Sequence, residues 1–432
     1  MRENVNIYIY FGFLFFLFFF SLFWHSISDD SVYYLGIARD IYHGLVPYKD
    51  VYSIYSPVMM YLNAFLFLLS ENFSYPIFLS FQYIMLSLSA ILLFRINSAF
   101  FSLEKKKAAL VSIFFMIACM SSDGTYINLE IYVIFFVFCS LFSFFQKKYM
   151  LTGIFLGMSF FCKQYGLLNF LPFYFALLWE ENKIKKIMAL SLGGLVPLAV
   201  FLWYYCFYQA IDMAVLFNQI RAKGYTQDYP RTAISYLYIF WGGKVFFLFL
   251  LPVLLQNRKV FQNKTQFFLF LGVVVNFLPA LIQSFQHYFI LTFPYLFLLL
   301  GIAFFTNKPQ KIAWKALHVS VILVIVLLAL RLYRYKDLAQ EHILVARHIE
   351  KEIPKGSTIL LEGWVRYLYL MNEYQNPLLR EIGYNFSFSW KEEWTQKWLI
   401  LSCYKKQGLS PQKIIFFKNH IFYLYGNAQT SK

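Results

Sequence analysis

Charge is what this chain has least of: only 14% of its 432 residues are Asp, Glu, Lys or Arg, and 22 of those are acidic. With hydrophobic residues at 60% and aromatics at 22%, that scarcity excludes an ordinary water-soluble domain. Also missing are a Walker loop, a GxGxxG turn after a strand, an HExxH pair and a CxxC pair. Nucleotide hydrolysis, dinucleotide chemistry and a thiolate metal site therefore have no support. Cysteine is sparse too: Cys119, Cys139, Cys162, Cys206 and Cys403 form no pairable framework, and the first four lie in or beside apolar segments as core filler. Nothing in the sequence requires a cofactor, and a divalent metal is left open. There is no internal repeat.

What the chain has instead is apolar runs. A hydrocarbon core about 30 Å thick takes roughly 20 apolar residues per helical crossing, and such segments recur from Ile7 to Arg331. The excess of Lys and Arg, 38 against 22 acidic residues, does not form the single basic face of a nucleic-acid binder. It falls in short clusters between the runs: Arg95 with Lys105 to Lys107, Lys147 and Lys148, Lys183 to Lys186, Arg258 to Lys264, and Lys308 to Lys315. The positive-inside rule makes all of these cytoplasmic and demands an even number of crossings between neighbours. The run from Ile7 to Trp24 is an uncleaved first crossing, because it is long and lacks a small-residue cleavage site.

The interval 149–179 tests this scheme. As one helix it would run about 46 Å and throw one lysine cluster outside. Two short arms that turn at Lys163, Gln164, Tyr165 and Gly166 fit better. Residues 25–75 stay outside, with Pro57 to Ser70 as a helix lying on the interface. A last crossing over 316–330 brings the count to eleven. The fold class is thus a polytopic α-helical membrane protein with a small extracytoplasmic α/β domain. Residues 1–332 form the transmembrane domain, including the first outer loop at 25–75, and residues 333–432 form the tail. The tail reads as helix (337–352), strand (358–362), helix (391–405) and strand (413–417). The N-terminus is cytoplasmic and the C-terminal domain extracytoplasmic.

The outer face collects the residues that lipid does not tolerate for free. Asp29 and Asp30 follow the first crossing; adjacent carboxylates at a membrane edge suit a general base, but spacing alone favours Asp30 as the N-cap of a helix over Val32 to Tyr42, and both can hold, one aspartate each. The loop SSDGTYINLE carries Asp123 and Glu130, the latter also stabilised simply by opening the next helix. Lys163 is either a functional cation or a snorkelling one. Arg221 with Lys223 and Arg231, and His287 beside Tyr288, suit an anionic group such as a lipid phosphate, although a lone interfacial His is commonly just polar trim.

In order along the chain, these residues resemble the GT-C membrane glycosyltransferases, in particular the family 39 protein mannosyltransferase and aminoarabinose transferase relatives. The first loop matches with Asp29-Asp30, Tyr33 and Ala38-Arg39, then Gly44, Pro47-Tyr48-Lys49-Asp50 and Ser56-Pro57. GIFLGMSFFCKQ is similar to the family's glycine-rich helix ending in lysine, HYFILTFPYL to its His-Tyr entry into a proline-containing crossing, and ILLEGWVRYLYLMNEYQNP to the tail of bacterial members. Relatives that modify lipid A commonly have a lysine where this chain has Ser56, so their acceptor specificity does not carry over.

The resemblance implies transfer of a sugar from a polyprenyl-phosphate carrier, with inversion, to a lipid, glycan or protein acceptor, in the cell (inner) membrane and without nucleic acid. It implies Asp29 as the base with Asp30 as its understudy. Lys163, His287 and then Arg221 would stabilise the departing lipid phosphate. Glu130 would orient acceptor or sugar, Arg39 would pair with the acidic group, and Tyr33, Asp50 and Tyr288 would line the substrate. Two other classes compete. A lipid-linked sugar transporter or flippase predicts ionisable residues in mid-crossing, and a polysaccharide polymerase predicts a large arginine-rich outer loop. Here the charges sit at helix ends, and the loop at 209–233 is modest.

Overall fold

The computed structural model describes residues 29–51, 53, 57–69, 75–210, 242–256, 263–282, 286–305, 310–335, 338–353, 357–362, 368–371, 399–402, 411, 413–417 and 420–425. The expected first crossing and Arg221 lie outside them. The chain divides into two compact units. One comprises residues 79–204 with those up to Tyr333; the other comprises the loop up to Phe78, Tyr205 to Ala210 and the tail.

The first unit is a helical bundle. Its helices are α3 (Tyr75–Ala99, begun in the other unit), α4 (Lys105–Cys119), α5 (Leu129–Phe145), α6 (Tyr149–Cys162), α7 (Phe170–Leu178), α8 (Lys183–Phe207), α9 (Lys244–Gln256), α10 (Lys264–Ile282), α11 (Phe293–Phe305) and α12 (Lys311–Tyr335). They occupy the positions of the second to the eleventh expected crossings, and six of the described helices are long and apolar enough to span a bilayer. Nearly every residue of α11 is buried, which makes it the centre of the bundle. By contrast α8 and α12 expose long apolar faces, among them Leu192, Trp203, Ile322 and Val326, where lipid is the solvent.

Glycine permits the closest helix approach. A Cβ on Gly157 would come within 2.9 Å of the Gly194 carbonyl oxygen, and one on Gly153 would collide with the Leu190 carbonyl. The small residues on both helices therefore let the α6 and α8 backbones touch. Polarity along the helices follows the lysines. Helices α4, α8, α10 and α12 begin at Lys105, Lys183, Lys264 and Lys311, and α5 ends two residues before Lys147. The opposite ends of α4, α5, α6 and α12 carry the residues described below.

The second unit contains α1 (Asp29–Tyr42) and α2 (Pro57–Phe67), followed in the tail by α13 (Leu338–Glu350), β1 (Ile359–Glu362), α14 (Leu368–Met371), β2 (Leu399–Ser402), β3 (Lys413–Phe417) and β4 (His420–Tyr425). Helix α2 buries Val58, Met59, Ala64 and Leu66 and exposes Tyr61 and Phe65, with Leu68 in the turn that follows, one stripe at helical spacing suited to a lipid interface. The sheet has the order β1-β2-β4-β3, with β1 and β2 parallel and the other two pairs antiparallel. The expected helix over 391–405 is corrected here. Residues 399–402 are a strand, because Leu399 pairs with Ile359 and Leu401 with Leu361, and buried strand pairing outweighs the local helical pattern. β4 is an additional strand.

Candidate active site

The site is built where helices break. Helix α4 continues through Met120–Gly124 and ends in non-helical backbone at Ser122 and Asp123, the latter in the left-handed region with φ of 71°, a conformation that Asp and Asn adopt more readily than most residues. Glycine is required next to it, since a Cβ on Gly124 would come within 2.5 Å of the Cys119 carbonyl oxygen. Such irregular backbone at membrane depth needs hydrogen-bond partners from neighbouring helices. Buried Gln82 of α3 supplies them: its amide nitrogen donates to the carbonyls of Gly124 (3.1 Å) and Tyr126, and its oxygen accepts from the Asn128 N–H at 2.7 Å. Asn128 in turn donates to the Asp123 carbonyl at 2.6 Å. With the loop fixed, α5 opens at Leu129 and places Glu130 in its first turn, fully buried.

A second break presents Lys163. Helix α6 stops at Cys162, Lys163 is extended (φ −156°, ψ 139°), and a 3-10 turn over Gln164–Asn169 leads into α7. Gly166 abuts the Ser159 carbonyl so closely that no Cβ fits. The end of the turn is pinned from behind: Asn169 accepts from the Asn276 amide and from the Tyr295 hydroxyl, both at 3.0 Å, and donates to the Gly166 carbonyl at 3.2 Å. This leaves Lys163, 1% exposed, paired with the Glu130 carboxylate. Its ammonium also lies 4.4 Å from the Tyr288 ring centroid and 5.8 Å from that of Tyr165, favourable cation–π geometry.

His287, on a 3-10 turn (Gln286–Thr292) ahead of α11, lies between the two carboxylates. Its Nδ1 is 3.7 Å from Asp123 Oδ2 and its Nε2 is 3.9 Å from Glu130 Oε1. Beyond Asp123 comes Arg331 from the last turns of α12. Its guanidinium pairs with Asp123, donates from Nε to Thr125 Oγ1 at 3.1 Å and from Nη1 to the Ser121 carbonyl at 3.3 Å, and rests 5.0 Å from the Tyr126 ring. The result is a line of ionisable groups: Arg331, Asp123, His287, Glu130, Lys163. Lys244, at the start of α9, lies within electrostatic range of Arg331 and Asp123 and adds a further cation. Glu130 Oε2 is buried with no hydrogen-bond partner, an acceptor left over for a ligand hydroxyl. Among the described residues no group of His, Cys, Asp and Glu is suited to hold a metal.

Of the residues singled out in the sequence, Glu130, Lys163, His287 and Tyr288 converge here. Tyr33, Arg39 and Asp50 lie in the second unit. Asp29 and Asp30 occupy the first turn of α1, which begins at Asp29, so Asp30 is not the cap of a helix starting after it; a carboxylate within the first turn still meets the favourable end of the dipole. Tyr33 is buried edge-on to Tyr34. Arg39 pairs with Asp40 at 3.6 Å and donates to the Tyr369 carbonyl of α14. Asp50 closes the Pro47-Tyr48-Lys49-Asp50 turn by accepting the Val46 N–H at 3.0 Å. Burial and the neighbouring Tyr205 push the Tyr48 phenol well above its usual range. Asp123, visible in the sequence only as a loop carboxylate, and Arg331, Lys244 and Gln82, not visible as functional at all, complete the site. The available signal was a charged or amide side chain inside an apolar crossing.

Beside the Lys163 turn runs an apolar groove of about 440 Å³, lined by Gly157, Phe160, Phe161, Leu167 and Phe170 and closed by α8. Two solved structures share the whole architecture. ArnT from Cupriavidus metallidurans bound to undecaprenyl phosphate superposes with a TM-score of 0.70 at 12% identity, covering 99% of each chain. The same protein in the apo state gives 0.72 at 10% identity over 100% of both. The chain has the GT-C fold. No protein-family model and no curated protein sequence matches it.

Proposed function

We propose that the protein is a membrane glycosyltransferase that moves a sugar from a polyprenyl-phosphate carrier to a lipid, glycan or protein acceptor at the extracytoplasmic face, with inversion at the anomeric carbon. The observation that carries this reading is the line of ionisable groups from Arg331 to Lys163, in which one buried carboxylate oxygen, Glu130 Oε2, has no hydrogen-bond partner. Two cations, Lys163 and Arg331, pair with two carboxylates there, and Lys244 lies within electrostatic range of Asp123. Such a site attracts an anionic headgroup, and Glu130 Oε2 can accept a sugar hydroxyl. The groove beside Lys163 suits an isoprenoid tail. The similar fold of a protein seen with undecaprenyl phosphate supports the same donor class.

In this reading the acceptor oxygen attacks the anomeric carbon and the bond to the carrier phosphate breaks, with the electron pair leaving on the phosphate. Lys163, His287 and Arg221 stabilise that growing charge, and Asp29, or Asp30 in its place, takes the acceptor's proton. Arg39, Tyr33, Asp50 and Tyr288 shape the sites for acceptor and sugar. The lysine-rich helix ends face the cytoplasm, and residues 333–432 form the extracytoplasmic domain of this inner-membrane protein. A purified sample incubated with a panel of polyprenyl-phosphate sugars consumes one of them, and Asp29→Asn abolishes consumption while folding is retained. If no carrier-linked sugar is consumed, the reading is wrong.

A further inference from the structure

We infer that Arg331 is a positioning residue for the transfer reaction, acting through Asp123 to hold the imidazole of His287 in its working orientation between the carboxylates of Asp123 and Glu130. The inference rests on the function proposed above, and it adds a residue that lies at the end of the last crossing rather than in any loop.

The geometry uses the whole guanidinium. One side pairs with Asp123 Oδ1, Nε holds Thr125 Oγ1 and Nη1 holds the Ser121 carbonyl, which the break in the α4 extension has set free. Asp123 and the residues on either side of it are thus tied to one rigid fork. The other carboxylate oxygen of Asp123 is the one that faces His287 Nδ1. A carboxylate behind an imidazole sets the ring's orientation and tautomer, provided the carboxylate is itself held. Asn128 and the Tyr126 N–H hold the Asp123 carbonyl, but those bonds fix the backbone and leave the direction of the carboxylate to its side-chain partners.

A purely structural clamp is a poorer account of the same contacts. Helices α4 and α12 already have a tie deeper in the bundle, where the Ser121 hydroxyl donates to the Val324 carbonyl at 3.3 Å. The fork is instead spent on the loop that carries Asp123. A neutral side chain at 331 would leave Asp123 with His287 and Lys244 as its charged neighbours, free to rotate away from the direction in which it now meets the ring.

The test compares Arg331→Gln, Arg331→Lys, Asp123→Asn and the double variant Asp123→Asn/Arg331→Gln, each checked for a wild-type thermal midpoint. Misplacement of a reacting group by about 1 Å costs on the order of 10²-fold in rate. Arg331→Gln is therefore expected to lower kcat by about that factor, with any rise in the KM for the polyprenyl-phosphate donor, from the lost positive charge, smaller than the fall in kcat. Arg331→Lys recovers part of the loss, and the double variant is no slower than the slower single one. Independently of turnover, 15N spectra of histidine-labelled protein, with the His287 signals assigned by their loss in His287→Gln, are expected to show those signals displaced in Arg331→Gln. Unchanged His287 signals in a folded Arg331 variant, additive losses in the double variant, or a rise in donor KM with kcat unchanged would each overturn the inference. If Arg331→Gln does not fold, Arg331→Lys carries the spectral and kinetic comparison. A wild-type protein that transfers no sugar would refute the reaction assignment, while the spectra would still decide the positioning.

Discussion

Replacing Lys163 by Met leaves Glu130 buried without its ammonium partner, and the cost can be worked out. Both side chains are about 1% exposed, and removing one member of a buried ion pair costs about 3–5 kcal/mol. The lone carboxylate has an escape, which is to take up a proton. From an ordinary glutamate pKa near 4.3, protonation at pH 7 costs about 1.36 × 2.7, or about 3.7 kcal/mol. At pH 5 the same step costs about 1 kcal/mol. The destabilisation of Lys163→Met relative to wild type, measured by denaturant titration in detergent, is thus expected to be about 3–4 kcal/mol at pH 7 and to shrink by more than half at pH 5. In Glu130→Met/Lys163→Met no charge is stranded, and most of the stability returns because neutral side chains of similar volume replace the pair. Sugar transfer does not return, since loss of a charge-stabilising group at a reacting centre costs about 10²–10³-fold. A penalty equal at both pH values, or a double variant that transfers at the wild-type rate, would refute the reasoning.

Gly157→Leu forces the α6 and α8 backbones apart, because its Cβ alone would lie 2.9 Å from the Gly194 carbonyl oxygen; loss of the monodisperse peak in detergent chromatography is expected, and a wild-type elution profile would count against the close crossing. Asn169→Ala removes the acceptor for Asn276 and Tyr295. With two buried donors deprived of it, about 1–3 kcal/mol each is at stake, and the denaturation midpoint should fall along with turnover. In the tail, a hydrogen bond from Lys413 holds the Glu352 carboxyl below its usual range. A depressed carboxyl pKa stabilises the fold above the ordinary carboxylate range and loses that contribution as pH falls through the folded value. Glu352→Gln should therefore flatten the acid side of the melting profile slightly, and an unchanged profile would remove the pair from the account.

Much of the bundle is legible in the sequence because charge and length act locally. Lysines at 105, 147, 183, 264 and 311 mark helix ends, and parity between them forces a break inside 149–179, which the structure has at Lys163. Glu130, Lys163 and His287 were legible for the same reason, as polar residues at apolar ends. Arg331 was not. Next to Leu330 at the end of a crossing it reads as a snorkelling side chain, and its partner Asp123 is 208 residues away in sequence, a pairing that only the packing of α12 against α4 creates. Gln82 was hidden likewise, since its role is to satisfy the backbone of a loop on other helices. The strand at 399–402 failed for the mirror-image reason: its partner β1 lies across a long connection, and local pattern carries no information about it.

The shortness of α6 bears on the membrane itself. Fourteen residues, Tyr149–Cys162, reach about 21 Å at 1.5 Å per residue, against a hydrocarbon core of about 30 Å. Lipids bordering this helix and the still shorter α7, nine residues long, would have to compress to meet them, which is expected to thin the bilayer into a dimple beside the groove. In the proposed reaction a carrier headgroup entering there would descend toward Lys163 without leaving its leaflet, and water-borne partners would meet it partway down. Reconstitution in bilayers of increasing acyl-chain length should accordingly slow turnover, as matching the dimple becomes costlier with each added methylene.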